Sequence, residues 1–349
     1  MKNLVIFILV LGAFSCKKDP PIPPEIPDKY EDGVLVLNEG LFEQNNASIS
    51  FYDGTESFQL VFESENSRGL GDTANDFEAY SIGGEDYIII AVDVSSQVEI
   101  IERTTMKTVA QIPLFDGINA REPRRIKVLG DIAFVCNFDG TVAIIDLTTN
   151  ALVTLVEVGA NPDGLVVVGD KLYVSNSGGL HYPVYDSTIS VINTTSYAVE
   201  TTFETRINST QMVLDGQGEI YLVSRGNYDD IPPAMLRIDT ETNTVLDVLE
   251  LPISSLVLYN DWLYFYHADD AVVYRYNTLT ETIDPTVIVD LSSYETFFGF
   301  HIDPITNRIY CIDANGYVNS STISVYQING DYLFQFQAGL NANDFIFNN

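Results

Sequence analysis

The side chains that most often carry enzyme chemistry are present in this sequence, but their spacing matches no catalytic motif. The histidines are His181, His267 and His301, and their spacing is not that of a zinc site. The sequence contains neither a Gly-x-Ser-x-Gly turn nor a glycine-rich phosphate-binding loop. It therefore predicts a protein that is not an enzyme, with no catalytic residues, no bound metal and no cofactor.

Carboxylates are the exception, because their abundance leaves two kinds of site open. A glycosidase-like pair cannot be selected by counting among 49 aspartates and glutamates. The acids at 229–230 and 269–270 leave calcium binding open, although their spacing is not that of a calcium loop. A lyase or hydrolase therefore stays open as a functional class. A buried histidine–carboxylate or paired-carboxylate group at a channel mouth would favour it.

Ligand binding has more support, because aromatic and amide side chains concentrate in four long loops. These loops are 39–47, 177–186, 225–233 and 313–320. Aromatic planes surrounded by amides and a few charges suit a large organic ligand with a polar rim. The predicted ligand-binding residues, in the loops and beside them, are Asn38, Phe42, Asn75, Asp76, Arg124, Asn137, Asp163, Asn176, His181, Tyr182, Tyr185, Arg225, Tyr228, His267, Tyr317 and Asp344.

Two simpler roles are the alternatives for these residues. Asparagine and aspartate favour tight bends, so Asn75, Asp76 and Asp344 also suit turns that bind nothing. The loop tyrosines also suit ordinary exposed positions on a protein surface. The sequence does not choose between these roles and ligand binding.

A repeated unit of short apolar strands must position these residues. The phrase VLVLN at 34–38 recurs in similar form at 87–92, 132–137, 171–176, 219–224, 262–267 and 308–313. Seven units over the chain from Gly33 average about 45 residues, the length of a four-stranded propeller blade. The sequence therefore predicts an all-β fold, a seven-bladed β-propeller of four-stranded antiparallel blades. A β-sandwich or two small β domains is the alternative.

The last strand is predicted to close the ring. Ala-Asn-Asp-Phe occurs at 74–77, where the innermost strand of blade two is expected, and again at 342–345. Blade one has no such strand in front of Val34, so the C-terminal strand must supply it. Cys136 then falls in blade three and Cys311 in blade seven, too far apart for a disulfide. The innermost strands of blades two to seven are expected to begin at Asn75, Pro123, Asn161, Ser209, Ile253 and Thr296.

The long loops are expected on one face of the propeller and the short turns on the other. Long loops on a rigid scaffold are where binding residues usually lie. The channel mouth on this face is predicted to present residues 75–76, 161–163 and 343–344. Arg124 or Arg125 is expected at the equivalent position of blade three.

The N-terminal segment is predicted to be an export signal followed by a tether. An eleven-residue apolar run, too short to span a bilayer, precedes small residues and Cys16. Residues 1–16 therefore indicate a lipoprotein signal with Cys16 lipidated, and an ordinary signal peptide is the alternative. Residues 17–32 contain five prolines between Pro20 and Pro27 and predict an extended tether. The propeller domain is assigned to residues 33–349.

The charge of the chain excludes one class of partner. The net charge is -32, so the surface repels phosphate backbones and nucleic acid is not expected to bind. Residues 121–127 nevertheless hold four of the seventeen basic side chains. This cluster would favour an anionic ligand if it faced the channel mouth, and salt bridges to nearby acids are the alternative.

Three stretches carry a resemblance to a known family: VLVLNEGLFEQNNASISFYD, VGANPDGLVVVGD, and KLYVSN with STISVINTTS. Following a lipoprotein signal, they resemble the YncE-like seven-bladed propeller lipoproteins over nearly the whole mature chain. Within this group the layout is similar to that of the BtuG-type cobalamin-binding surface lipoproteins. A resemblance in fold says little about function, since propellers host many activities.

The BtuG-type resemblance implies a function, a location and partners. It implies a lipid-anchored protein of the outer membrane, at the cell surface, that captures cobalamin or another corrinoid. The ligand would lie on the long-loop face and pass to a TonB-dependent transporter. A siderophore-binding lipoprotein is the near alternative. A scaffold that binds proteins or glycans, without a small-molecule ligand, is a further one.

Overall fold

The computed structural model describes residues 30–348, and these residues form an almost entirely β protein. The strands in chain order are β1 (Gly33–Asn38), β2 (Ser48–Tyr52), β3 (Ser57–Phe58), β4 (Ala74–Ile82), β5 (Glu85–Val92), β6 (Gln97–Glu102), β7 (Thr108–Pro113), β8 (Phe115–Asp116), β9 (Asn119–Ala120), β10 (Pro123–Leu129), β11 (Ile132–Asn137), β12 (Thr141–Asp146), β13 (Ala151–Glu157), β14 (Pro162–Val168) and β15 (Lys171–Asn176). They continue with β16 (Thr188–Asn193), β17 (Val199–Glu204), β18 (Ser209–Leu214), β19 (Glu219–Ser224), β20 (Ala234–Asp239), β21 (Thr244–Glu250), β22 (Ile253–Tyr259), β23 (Trp262–His267), β24 (Val272–Asn277), β25 (Thr282–Asp290), β26 (Phe297–Asp303), β27 (Arg308–Asp313), β28 (Ser320–Gln327), β29 (Tyr332–Leu340) and β30 (Ala342–Asn348).

Seven four-stranded antiparallel sheets form the blades of a propeller, as the sequence predicts. Blades two to seven are β4–β7, β10–β13, β14–β17, β18–β21, β22–β25 and β26–β29, each in sequence order from the channel outward. Each innermost strand lies against the innermost strands of both neighbouring blades, which completes the ring. The small hairpin β8–β9 lies in the connection between blades two and three.

The C-terminal strand completes the first blade, which confirms the predicted closure. Blade one has the order β30-β1-β2-β3, and β30 pairs antiparallel with β1, Val36 opposite Phe345. The repeated phrase Ala-Asn-Asp-Phe therefore starts an innermost strand in both places. The other innermost strands begin within one residue of their predicted positions, for example Pro123 for β10 and Pro162 for β14.

Packing between blades explains why the second strand of each unit is largely apolar and does not alternate. Ile89 and Ala91 of blade two pack in one cluster with Ala133 and Val135 of blade three. Such strands have a neighbouring blade on both faces, so most side chains along them are buried. The outermost strands, such as β13, expose most of their residues instead. The core is thus a ring of inter-blade layers.

The joint between blades seven and one is rich in aromatic rings. Tyr310 of β27 has its ring centroid 4.9 Å from that of Phe347 and 5.7 Å from that of Phe345, both in β30. Tyr52 of β2 stacks on Phe336 of β29 at 4.2 Å. Aromatic contacts of this kind add to the stabilisation that comes from burying the rings.

The only described α-helix, α1 (Val61–Asn66), follows the two-residue strand β3 and was not expected from the sequence. Its first turn buries Val61 and Phe62 against Tyr30 and Met106. Six residues give little helical periodicity, and the short helix is stabilised by this contact and not by helix propensity.

The folded part begins before the predicted boundary at Gly33. Tyr30 is fully buried, its N–H donates to the carbonyl of Thr104 at 2.8 Å, and its own carbonyl accepts from the Asn348 side chain at 2.9 Å. These contacts place Tyr30 on the face with short turns, opposite the long loops. The predicted signal, Cys16 and the tether up to residue 29 lie outside the described residues.

Two further observations concern cysteines and membranes. Cys136 and Cys311 are buried free thiols in blades three and seven. Within residues 30–348, no helix has the length and apolar character needed to cross a bilayer.

We predict that ring closure contributes strongly to stability. Phe345 is 7% exposed, so Phe345→Ala should lower the free energy of unfolding by about 3–5 kcal/mol through lost burial and a residual cavity. Urea unfolding followed by tryptophan fluorescence measures this change. Phe42→Ala is the control, because Phe42 is 70% exposed and its loss should change stability by less than about 0.5 kcal/mol. Equal effects of the two substitutions would contradict the prediction.

Candidate ligand-binding site

The central channel is shaped by an irregularity that all seven innermost strands share. Each strand shifts register against its blade neighbour at its end on the long-loop face. A bulge of this kind adds a residue, bends the strand and redirects the side chains that follow. In β4 the shift lies between Ala74 and Asp76, and in β30 it leaves Asn343 unpaired between Ala342 and Asp344.

These bulges direct charged side chains into a cavity of about 340 Å³ along the channel. Asp76, Arg125, Asp163, His301 and Asp344 line the cavity, each from a different innermost strand. The sequence predicted Asp76, Asp163 and Asp344 at this mouth, and the structure places all three there.

Arg125 lies at the centre of this charged group. Its Nε is 3.6 Å from Oδ1 of Asp163, and its Nη1 is 3.8 Å from Oδ1 of Asp76. Burial alone would raise the pKa of Asp163, but Arg124, Arg125 and Arg225 together hold it below the usual value. Asp163 is therefore an anion at neutral pH, and Arg125 is its main partner.

Asp76 and Asp344 form a carboxylic acid pair. Burial, with the Asp344 charge as a further cause, raises the pKa of Asp76 to about 8, although Arg125 opposes the shift. Asp76 hydrogen-bonds to Asp344, whose own pKa burial also raises. At neutral pH Asp76 therefore holds a proton, which it donates to Asp344.

The same two aspartates also hydrogen-bond to backbone N–H groups of the neighbouring blades. Asp76 Oδ2 accepts the N–H of Ile126 in blade three at 2.6 Å, and Asp344 accepts the N–H of Phe77 in blade two. Innermost strands expose N–H groups towards the channel with no strand beyond them to accept. Both aspartates therefore have a structural role, which differs from the turn chemistry that was the alternative.

His301 is neutral in this channel. Burial lowers the pKa of its imidazole to about 4. Its Nε2 lies 3.2 Å from the carbonyl oxygen of Asn343, so Nε2 carries the proton and donates it. Nδ1 lies 3.4 Å from Oδ1 of Asp344. The channel thus contains the histidine–carboxylate and paired-carboxylate groups that the sequence analysis associated with a lyase or hydrolase.

A second and larger cavity, about 760 Å³, lies beside the channel mouth on the long-loop face. We call it the loop-face groove, and it spans blades five to seven. Its walls include Tyr228, Phe297, Phe298 and Tyr317 together with three prolines. Arg225, Ser254 and Phe298 line both cavities, so the apolar groove opens into the polar channel.

The groove tyrosines are held by strained loop geometry. Tyr228 and Tyr317 have φ angles of 60° and 65°, in the left-handed region that bulky side chains rarely adopt. Gly226 precedes Tyr228, and a Cβ there would lie 2.0 Å from the Ile231 carbonyl oxygen. The Asn227 side chain also accepts the N–H groups of residues 229 and 231, which fixes the loop. Strain of this kind is common where a loop presents a functional side chain.

A row of aromatic rings extends the groove across blades four and five. The ring centroid of Tyr185 is 6.2 Å from that of Tyr182 and 6.3 Å from that of Tyr228. At the other end, Tyr317 makes an edge contact with Phe298 at 5.9 Å. The structure thus brings the four predicted loop tyrosines to one arc around the channel mouth.

Arg124 and Asn75 lie at the rim and not in the channel. Arg124 donates to Oδ1 of Asn75 at 2.9 Å, pairs with Asp93 at 3.1 Å and lies over the Phe138 ring at 4.4 Å. In blade three the arginine that faces the channel is Arg125. The bulge between Pro123 and Arg125 decides which of the two side chains points inward.

Three predicted residues, Asn38, Asn137 and Asn176, are structural, which corrects their assignment as ligand-binding residues. All three are fully buried inside their blades. The Asn38 amide donates to Ser48 and Ser50, and the Asn176 amide donates to Thr188 and Ser190. Each side chain braces the second strand against the third, because the end of a second strand is still covered by the next blade.

Other predicted residues lie away from both cavities. His267 lies 3.1 Å from the carboxylate of Asp270 and against the Tyr274 ring. Phe42 and His181 are exposed and line neither the channel nor the groove.

Sequence reasoning named Arg125 only as an alternative to Arg124, and it missed His301 and the two phenylalanines of the groove. Phe298 occupies the bulge position of blade seven that Asn75 and Arg124 occupy in theirs. Aligning the seven innermost strands could therefore have identified Phe298. No sequence pattern indicated His301, because the groups that contact its ring, Asn343 and Asp344, belong to β30.

The residues described by the structure contain no cluster of three or more histidine, cysteine, aspartate or glutamate side chains suited to a metal ion. The basic cluster at 121–127 is neutralised by ion pairs. Arg121 pairs with Asp139, and Lys127 Nζ lies 2.6 Å from Oε1 of Glu78. The salt-bridge alternative therefore describes these side chains.

Solved structures with this fold include proteins of very different function. A quinonprotein alcohol dehydrogenase-like protein from Bacteroides thetaiotaomicron is 14% identical, with a TM-score of 0.66 over 92% of this chain and 79% of that one. Hydrazine synthase from Kuenenia stuttgartiensis is 16% identical, with a TM-score of 0.60 over 73% of this chain and 84% of that one. A chain of the mitotic checkpoint complex is 12% identical, with a TM-score of 0.58 over 96% and 89%. At such identities the likeness shows the fold alone.

No curated protein matches the sequence. The sequence pattern described as a domain of unknown function, DUF5074, matches residues 32–349. The narrower resemblance to YncE-like and BtuG-type proteins stays a prediction.

The acid pair predicts a pH dependence of stability. The pKa of Asp76 rises from 3.8 to about 8 on folding, so the folded protein keeps a proton that the unfolded chain has lost. The contribution of Asp76 to the free energy of unfolding therefore falls as pH rises from about 4 to about 8. Asp76→Asn keeps an oxygen for the Ile126 N–H but cannot ionise, so its stability should vary less with pH in this range.

Urea unfolding between pH 5 and pH 8 measures this dependence. Asp331→Asn, which changes an exposed turn, should keep the wild-type profile. Parallel profiles of the wild type and Asp76→Asn would contradict the assignment of a retained proton to Asp76.

Proposed function

The chain belongs to the DUF5074 family, and we propose that it captures a large organic ligand on its long-loop face without transforming it. The observation that carries the proposal is the aromatic groove that opens into the polar channel. A volume of about 760 Å³ lies within the range of small-molecule sites. The best single guess for the ligand is cobalamin or a related corrinoid, which rests on the resemblance to BtuG-type proteins.

The chemistry of the two cavities suits a ligand with an apolar body and a polar rim. A flat macrocycle would lie against Tyr228, Phe298 and Tyr317, where ring faces provide contact area at low entropic cost. Amide groups on its edge would reach Ser254 and the charged groups of the channel. This arrangement supports capture of a corrin ring with its amide side chains.

The proposal extends to location and partners. We propose that Cys16 is lipidated, that the protein is anchored at the surface of the outer membrane, and that it passes its ligand to a TonB-dependent transporter. The position of Tyr30 supports this arrangement, because the chain enters the fold on the face with short turns. A membrane anchor attached on that side would leave the long-loop face open to a transporter.

A lyase or hydrolase is the second candidate, and a specific observation favours it. Asp76, Asp344 and His301 form a partly buried acid group in the channel, and a carboxyl with a pKa of about 8 is suited to proton donation. We rank this candidate second because the same aspartates accept backbone N–H groups between blades. That structural role explains their burial without catalysis.

Siderophore binding and a scaffold role differ in their structural support. A siderophore-binding protein would use the basic cluster at 121–127, but acids pair with that cluster. A protein- or glycan-binding scaffold gains support from the tyrosine row of blades four and five, although the groove beside it has a central pocket.

We predict one-to-one binding of cyanocobalamin, measured by calorimetry on the purified protein. Tyr228→Ala and Tyr317→Ala should each weaken binding roughly tenfold, a loss of about 1.4 kcal/mol of contact. Phe42→Ala is the matched control, because Phe42 is an exposed loop aromatic outside the groove. Absence of both heat and a spectral shift at micromolar protein would remove cobalamin and favour a siderophore or a macromolecular partner instead.

Lipid anchoring has its own test. We predict that the wild-type protein partitions into the detergent phase of a Triton X-114 extraction, because an acyl-modified Cys16 is strongly apolar. Cys16→Ser should move the protein to the aqueous phase. Detection of unmodified Cys16 by mass spectrometry of the mature wild-type protein would contradict the prediction.

A further inference from the structure

Arg225 differs from the other arginines around the channel mouth. Arg124, Arg125 and Arg206 each pair with a carboxylate. Among residues 30–348, no carboxylate lies within ion-pair distance of the Arg225 guanidinium. The positive charge of Arg225 lowers the pKa of Asp163, but from beyond ion-pair distance. The guanidinium N–H groups can therefore donate to an anionic group of a ligand.

Its position is fixed by the backbone on both sides. Arg225 follows directly after β19, and its N–H donates to the Asn208 carbonyl at 3.0 Å. Ser224 before it donates to the Ile207 carbonyl at 2.7 Å, and Gly226 after it has a left-handed backbone. The backbone therefore fixes the point from which the exposed Arg225 side chain projects.

Arg225 lies at the boundary between the two cavities. It lines both the channel and the loop-face groove, as Phe298 and Ser254 do. Asp269 and Glu250 line the groove and Asp163 lines the channel, and two of these three carboxylates pair with other arginines. Glu250 pairs with Arg206 at 3.0 Å, and Asp163 with Arg125 at 3.6 Å. An arriving anion would therefore meet a cation that no neighbouring acid already occupies.

We propose that the ligand of the loop-face groove carries an oxyanion, a carboxylate or a phosphate, that Arg225 binds. The proposal rests on the proposed capture function and names a chemical feature of its ligand. The apolar body lies along Tyr228, Phe298 and Tyr317, and the oxyanion points to the channel mouth. A guanidinium offers a planar fork of donors that matches such groups. Since the net charge of the protein repels anions in general, Arg225 selects them locally.

Two fluorescent probes with the same skeleton test the proposal. The dye 8-anilino-1-naphthalenesulfonate carries an anionic oxyacid group, and N-phenyl-1-naphthylamine lacks it. Arg225→Gln should weaken binding of the sulfonate dye roughly tenfold to hundredfold and change binding of the neutral dye less than about twofold. Arg121→Gln is the matched control, since Arg121 pairs with Asp139 outside both cavities, and should leave both affinities unchanged.

The outcomes separate this proposal from the proposed function. Binding of both dyes with equal affinity, unaffected by Arg225→Gln, contradicts the oxyanion and leaves the groove as an apolar site. No binding of either dye contradicts the oxyanion proposal, and the cyanocobalamin titration then tests the proposed function separately. Displacement of the sulfonate dye by benzoate or by phenyl phosphate, but not by benzyl alcohol, supports the oxyanion and identifies its kind. Equal displacement by benzyl alcohol contradicts it.

Discussion

The pairing of the last strand with the first is the constraint on which the rest of the structure depends. Strand β30 is the innermost strand of blade one, so the channel has seven walls only after the C-terminus has returned to the start of the fold. The pairing also carries side chains across the joint. Asn343 donates to the carbonyls of Ala74 and Asn75 in blade two, and Asp344 accepts from Phe77 there. The same strand therefore closes the ring and completes the wall of the channel.

The repeated phrase Ala-Asn-Asp-Phe has a physical explanation in the edges of the innermost strands. Such strands present N–H groups towards the channel, and an unsatisfied buried N–H costs about 1–3 kcal/mol. An aspartate after the bulge reaches the next blade and accepts one of these groups, as Asp344 and Asp76 do in turn. Because the two aspartates belong to neighbouring blades, their carboxyls meet and share a proton. The acidic chemistry of the channel thus follows from how the blades are joined.

The long-loop face combines two different environments that open into each other. The channel is polar, and most of its charges are paired with each other. The groove is apolar, and its aromatic rings come from blades five and seven. Arg225 lies where the two meet and keeps its charge free of a neighbouring acid. A ligand that bridges them needs an apolar body and a polar group at one end, which is a more specific description than the fold provides.

The sequence by itself determined the number of blades, the order of their strands and the closure by the C-terminal strand. These features depend on local alternation and on a repeat, and both are readable along the chain. It also located Asp76, Asp163 and Asp344 at the channel mouth, because position along a strand fixes distance from the mouth. Only the tertiary structure decided which side chains face the channel. A bulge of one residue turned Arg125 inward in place of Arg124, and the packing of a neighbouring blade buried Asn38, Asn137 and Asn176. The position of His301 beside Asp344, and the meeting of loops from different blades in one groove, arise from contacts between residues far apart in the chain, which no local pattern encodes.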